Sequence, residues 1–191
     1  MTDTLSLLSR RCGDSHCYNF HVNYRSPHYL LNVFNLYGQS QLGIQPTDIY
    51  EQMGYHGTTP DAATRSEVQA VVGDVSQWLR PGFSFFVSRE RGDFRLGRII
   101  ERQLAGAEAY AFFVCTAGTA YEAYQQRLTA DGDMVRTFIA DALGSVIAEH
   151  CADQMELHLQ QSIDKLYWRH TNRFSPGYCG WHVSQQQLLF P

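Results

Sequence analysis

At 191 residues, with 44% hydrophobic and 18% charged side chains, the chain is long enough to bury a core without staples, and it is too apolar to be intrinsically disordered. A net charge of −4 argues against nucleic-acid binding through bulk charge, and no apolar run reaches the roughly 18 residues needed to span a bilayer. The five cysteines (Cys12, Cys17, Cys115, Cys151 and Cys179) are odd in number and scattered. No basic segment followed by a long apolar core opens the chain, so a reduced, cytoplasmic protein is expected.

The elements follow in chain order. "CYNFHVNY" alternates in part and reads as a strand through Tyr18, Phe20, Val22 and Tyr24. "SPHYLLNVFNLYG" reads as a short buried helix with Pro27 in its first turn and Gly38 at its end. After a polar loop to Pro46, "TDIYEQMGY" predicts another short helix closed by Gly54. "TTPDAATRSEVQAVVGDVSQWL" carries clear signals: Thr59 as cap, Pro60 at the first helical position, and Val68, Val71, Val72, Val75 and Leu79 at helical spacing, with a stop near Arg80. Phe83 to Ser88 is an aromatic and β-branched strand. "FRLGRIIERQL" sets Leu96, Ile99, Ile100 and Leu104 on one helical face. Ala109 to Gly118 reads as a buried strand ending in a small-residue turn. The longest helix is expected from Asp131 to about Gln161, its stripe including Val135, Phe138, Ile139, Leu143, Val146, Ile147, Cys151 and Met155, with Gly144-Ser145 allowing a close approach or a bend. A last helix begins at "SQQQLLF" with Ser184 as cap. Helices interleaved with a few strands argue for an α+β or α/β domain around one sheet.

Several constellations carry chemistry on paper. Cys12, His16, Cys17 and His21 are zinc-type ligands, but they lack the spacing of paired knuckles, and Cys179 with His182 makes only a lone C-x-x-H pair. Cys115 lies inside an apolar strand and reads as a small core residue. Thr116-Ala117-Gly118 precedes a helix whose first amides can meet an anion, or is a plain strand-to-helix turn. Glu149 sits beside the apolar stripe, facing either a pocket or solvent. The richest stretch is "RFSPGYCGWHVSQQQLLF", Arg173 to Phe190. Pro176-Gly177 suits the centre of a type II turn that shows its backbone outward. Arg173 can grip a carboxylate, and Tyr178 offers a π face to a cation or a flat base. The alternative is that Tyr178 and Trp181 are core and Arg173 is solvated.

"RFSPGY" resembles the R-x-x-x-G-Y motif of the activation domain of cobalamin-dependent methionine synthase. "AEAYAFFVCTAG" is similar to that family's strand and T-x-G turn, and "FIADALGSVIAEHCAD" to its long helix with an Ala-Glu pair. The likeness covers about residues 50–190 and is nearest to stand-alone short members. It implies an α+β fold: a curved single domain with a central antiparallel sheet flanked by helices, spanning 46–191 and short at its C-terminus, with 1–45 as a segment packed upon it. It also implies a function, binding S-adenosylmethionine in support of reductive methylation of cob(II)alamin in methionine biosynthesis. The cobalamin would be carried in trans by a methionine synthase or another corrinoid methyltransferase, and a flavodoxin-type protein would be the electron donor. The ligand-binding residues it implies are Arg173, Phe174, Ser175, Gly177, Tyr178, Glu149, Thr116 and Gly118. The sequence departs from the family at "CGWH" after Tyr178, and Tyr167 stands where the family has an acidic residue. A ligand-free assembly module of the same fold, or a Cys/His metal-binding protein, are the other readings.

Overall fold

The computed structural model describes residues 33–36, 42–164 and 167–189. The expected strand at "CYNFHVNY" and the Cys12/His16/Cys17/His21 cluster lie outside the described residues.

The fold mixes helices with a small antiparallel sheet, as an α+β reading expects. The elements are β1 (Val33–Leu36), α1 (Pro46–Gln52), α2 (Ala62–Val75), β2 (Gly82–Ser88), α3 (Gly97–Gln103), β3 (Tyr110–Thr116), α4 (Thr119–Ala130), α5 (Met134–Asp164) and a 3₁₀ helix, Val183–Leu189. The strands lie in the order β1-β2-β3. The stretch read as a short helix before Gly38 contains strand β1 instead. Its Val-Phe pair favours extended backbone, and short apolar runs do not separate strand from helix by periodicity.

Two compact units divide the described residues, one including 42–82 and 115–154, the other 83–114, 155–164 and 167–189. In the first, α2 is capped by Asp61 and not by Thr59, because the Asp61 carboxylate accepts the Thr64 N–H at 2.8 Å. That hydrogen bond holds the Asp61 carboxyl below its usual pKa. Helix α2 ends at Val75, earlier than Arg80, where the N–H groups of Trp78 and Leu79 both turn back to the Val75 carbonyl. Val68, Val71, Val75 and Leu79 are buried as expected. From α5, Arg136 reaches Glu67 at 3.0 Å and Asp74 at 3.4 Å on α2. Tyr124 of α4 donates to the same Asp74 at 3.1 Å. Burial and that hydrogen bond push the Tyr124 phenol up to about 12, so it remains a donor at neutral pH. Asp48 accepts the Gln45 N–H at the start of α1 and also faces His150 Nε2 at 3.3 Å, while the other His150 ring nitrogen meets the Leu42 carbonyl at 2.9 Å.

Gly144 has a purpose other than a bend. A Cβ there would stand 3.0 Å from the Tyr121 ring, and that ring is tethered by its hydroxyl to the Ala140 carbonyl at 2.6 Å. Ile139, Leu143, Val146, Ile147, Cys151 and Met155 are buried as the stripe requires, but Val135 and Phe138 are not: they are 61% and 55% exposed.

In the second unit, Phe94, Leu96, Ile100, Leu104, Phe112, Phe174 and Trp181 form one apolar cluster. Ile99, expected on the same face, is exposed. Helix α3 presents only the Leu96, Ile100 and Leu104 ridge to the cluster, a spacing of four residues. His158 packs its ring against Phe83 at 5.5 Å, and burial lowers its pKa from 6.5.

Two predictions follow from these contacts. Gly144→Ala gains roughly 1 kcal/mol of helix propensity but crowds a tethered ring, an overpacking that costs roughly 1–3 kcal/mol. Urea denaturation should show it destabilising in the wild-type background and markedly less so with Tyr121→Phe, which frees the ring to shift; an additive double-mutant cycle would contradict this. For His158, the folded state resists protonation. Stability is therefore full above the unfolded pKa of 6.5 and declines as pH falls below it. The stability of His158→Gln, measured from pH 7.5 to 5 in roughly half-unit steps, should fall less than that of the wild type.

Candidate functional site

The stretch Arg173 to Trp181 belongs wholly to the second unit. It is a double turn. Tyr178 N–H donates to the Ser175 carbonyl at 3.1 Å, closing a first turn around Pro176-Gly177, and Gly177 has the φ of 100° that such a turn needs at its third position. Trp181 N–H donates to the Tyr178 carbonyl at 2.9 Å, closing a second turn through Cys179 (φ 53°) and Gly180 (φ 84°). Gly177 N–H then donates to the Trp181 carbonyl at 2.7 Å and locks the two together. The expectation that this turn shows its backbone donors outward is therefore corrected: the amides of Gly177 and Tyr178 are spent inside the loop.

Two aromatic side chains seat it. Phe174 and Trp181 are buried, and Trp181 meets Phe94 edge-on, with ring centroids 5.8 Å apart. Trp181 Nε1 is buried with no hydrogen-bond partner among the described residues, so its stabilisation comes from packing alone. The loop backbone also rests on the first residue of α3. A Cβ on Gly97 would stand 2.7 Å from the Gly180 carbonyl oxygen, a distance no side chain tolerates. Arg95 N–H donates to the Gln185 side chain at 2.6 Å, fixing the following 3₁₀ helix to the same place. That segment was expected to be an α-helix capped by Ser184. Instead the Ser184 hydroxyl and N–H both meet Nδ1 of His182, at 2.8 and 3.2 Å, so the serine caps nothing.

Of the side chains read as ligand contacts, Tyr178 is exposed, offering the ring face that the sequence suggested. Arg173 is half-buried and its Nη1 lies 3.0 Å from Glu156 of α5, itself half-buried. The alternative of a core Tyr178 and a solvated Arg173 is thus not what the fold adopts, although its buried Trp181 is. Glu156 is the residue that sequence reading missed. It lies seventeen positions before Arg173, and spacing along a helix does not reveal a partner in a later loop. Tyr167, at the position where an acid was expected from the resemblance, is almost fully exposed and has a φ of 58°.

Thr116, Gly118 and Glu149 belong to the first unit. The strand-turn-helix at Thr116–Gly118 is present. Gly118 N–H donates to the Thr116 hydroxyl at 2.9 Å, and Gly118 at φ 95° lies so close to the Arg80 carbonyl that a Cβ would be 2.8 Å from its oxygen. Its amide is thus engaged locally, as in a plain turn. Glu149 lies on the exposed side of α5. Cys115 and Cys151 are both fully buried. The Cys115 thiol and the Thr116 N–H hydrogen-bond to Cys151 and hold its thiol below the ordinary range, against the effect of burial. Among the described residues no group of three or more His, Cys, Asp or Glu side chains could hold a metal ion.

No protein-family model matches the chain, and no curated protein matches it.

The close approach at Gly97 is testable. Gly97→Ala adds a steric clash to the roughly 1–2 kcal/mol that a left-handed backbone costs a residue with a side chain. Gly57→Ala, at φ 73° with open space around it, has only the second penalty. Thermal denaturation should place Gly97→Ala well below Gly57→Ala, and limited proteolysis should cut the Gly97 variant first at 173–182; equal melting temperatures would show that the loop moves aside freely.

Proposed function

We propose that this chain is a stand-alone activation-type module that binds S-adenosylmethionine and supports reductive methylation of cobalamin carried by a separate corrinoid methyltransferase, in the setting of methionine biosynthesis. The observation that carries the reading is the pairing, on one core-anchored loop, of a half-buried guanidinium at Arg173 and an exposed ring at Tyr178. These suit the two ends of the ligand: a carboxylate for the arginine, and a sulfonium or a flat adenine for the ring. Phe174 through its backbone, and Ser175 and Gly177, enter as ligand contacts through the resemblance; the Phe174 side chain is buried in the apolar cluster. Glu156 fixes the direction of the guanidinium, so a ligand carboxylate would share the arginine with it. Thr116, Gly118 and Glu149 enter this reading through the resemblance alone. The bound ligand would supply the methyl group; the protein's own part is to bind and orient it.

A second reading also has an observation behind it. The Arg173–Glu156 ion pair and the spent amides of Gly177 and Tyr178 engage these three groups without a ligand. That favours an assembly module of the same fold that contacts a corrinoid protein and binds no small molecule.

Isothermal titration with S-adenosylmethionine separates the two. Micromolar binding is expected, weakened at least about ten-fold by Arg173→Ala and by Tyr178→Ala. Glu156→Gln should change affinity far less than Arg173→Ala if the arginine grips the ligand. Absence of heat with the unmodified protein would end the ligand reading, and co-purification with a corrinoid protein would then support the assembly reading.

A further inference from the structure

The apolar stripe of α5 predicted from helical spacing is bare at its start. Met134, Val135 and Phe138 are 71%, 61% and 55% exposed. Met134 and Phe138 line an open groove of about 690 Å³, together with Glu122 and Gln126 of α4 and Thr137 and Asp141 of α5. We propose that this groove docks a basic amphipathic helix of a partner protein.

Shape, charge and anchoring each bear on the occupant. Both walls are helical, and Met134 and Phe138 are four residues apart, the spacing at which side chains rise together from one face and leave a furrow. A turn of helix with its side chains fills roughly 500 Å³, taking its diameter and pitch, so the groove accepts the inserted face of about two turns. The charge on the walls has one sign. Glu122 and Asp141 supply carboxylates, and among the described residues no basic side chain lines the groove. The two arginines nearest in sequence are committed elsewhere: Arg127 lies over the Tyr124 ring, 5.9 Å from its centroid, and Arg136 pairs with Glu67 and Asp74. An apolar floor with acidic edges selects a helix whose leucine-type stripe is flanked by lysine or arginine. The same charges disfavour a second copy of this chain, because a two-fold contact sets each patch against itself and brings carboxylate towards carboxylate.

This proposal rests on the first unit alone and is independent of whether the loop at Arg173 binds S-adenosylmethionine. The probe is a fluorescein-labelled helical peptide of about 18 residues with leucine at i, i+4 and i+7 and lysine on both flanks, beside a twin with glutamate in place of each lysine. Fluorescence anisotropy on the full chain should show the lysine peptide binding at least about ten-fold tighter than its twin, and losing affinity between roughly 50 and 300 mM salt. Phe138→Ser and, separately, Met134→Ser should weaken it at least about five-fold, with unchanged circular dichroism. Glu122→Lys with Asp141→Lys should reverse the preference between the two peptides. Equal binding of both peptides, binding indifferent to both serine variants, no binding at millimolar peptide, or a dimer in sedimentation equilibrium that Phe138→Ser dissociates would each overturn the proposal.

Discussion

The conformation of the Arg173–Trp181 loop depends on one steric constraint, the absence of a side chain at Gly97. With no Cβ there, the Gly180 carbonyl can sit against the start of α3, at a distance a methyl group would reduce to 2.7 Å. That contact lets Trp181 drop edge-on against Phe94 within the cluster of Leu96, Ile100, Phe112 and Phe174. Once Phe174 and Trp181 are both buried, the residues between them have to double back. The two hydrogen-bonded turns and the left-handed backbone at Gly177, Cys179 and Gly180 are how they do so. Tyr178 is exposed because it is at the apex of that reversal, and Arg173 is half-buried because it lies at its base. Packing at the ends therefore sets which side chains the loop offers to a ligand.

The first unit is organised differently, by a shared carboxylate. Asp74 receives both the Tyr124 hydroxyl and the Arg136 guanidinium, so α2, α4 and α5 are joined through one side chain. These groups are partly exposed, and pairs of this kind contribute modestly to stability. Their effect is on orientation: they direct Arg136 towards α2, away from the groove wall at Glu122 and Asp141, which no basic side chain lines among the described residues. The tethered ring of Tyr121 under Gly144 has a similar role, holding α4 against α5 at a spacing that a larger residue at 144 would not allow.

The strongest signals in the sequence were those that depend on local chemistry. The burial of Val68, Val71 and Val75 followed from helical spacing, strands β2 and β3 from aromatic and β-branched runs, and the turn at Gly177 from Pro-Gly. Helix ends were less legible. Asp61 and not Thr59 is the cap because the helix begins at Ala62, which puts the Asp61 carboxylate within reach of the Thr64 N–H three residues on, and both residues look acceptable in a string. Strand β1 was read as helix because four residues of apolar sequence carry too little period to decide. At the candidate site, Tyr178 and the buried Trp181 correspond to features visible in the sequence. The Glu156 partner of Arg173 and the Gly97 seat do not, since both come from distant parts of the chain and no spacing rule connects them.

The exposed start of α5 shows a further limit of periodicity. Spacing identifies residues that share a face, and by that test Val135 and Phe138 continue the stripe that Ile139, Leu143 and Val146 bury. It carries no information on whether another element extends far enough to cover that face. Isolated apolar side chains on a surface are ordinary, but Met134 and Phe138, one helical turn apart and lining a groove with a carboxylate on each wall, form a patch with a defined polarity. Desolvating those methylene and ring surfaces is favourable for any apolar partner. Holding one of a particular sign requires fixed charges, and among the described residues lining the groove Glu122 and Asp141 are the charged ones, while Arg127 and Arg136 face Tyr124, Glu67 and Asp74.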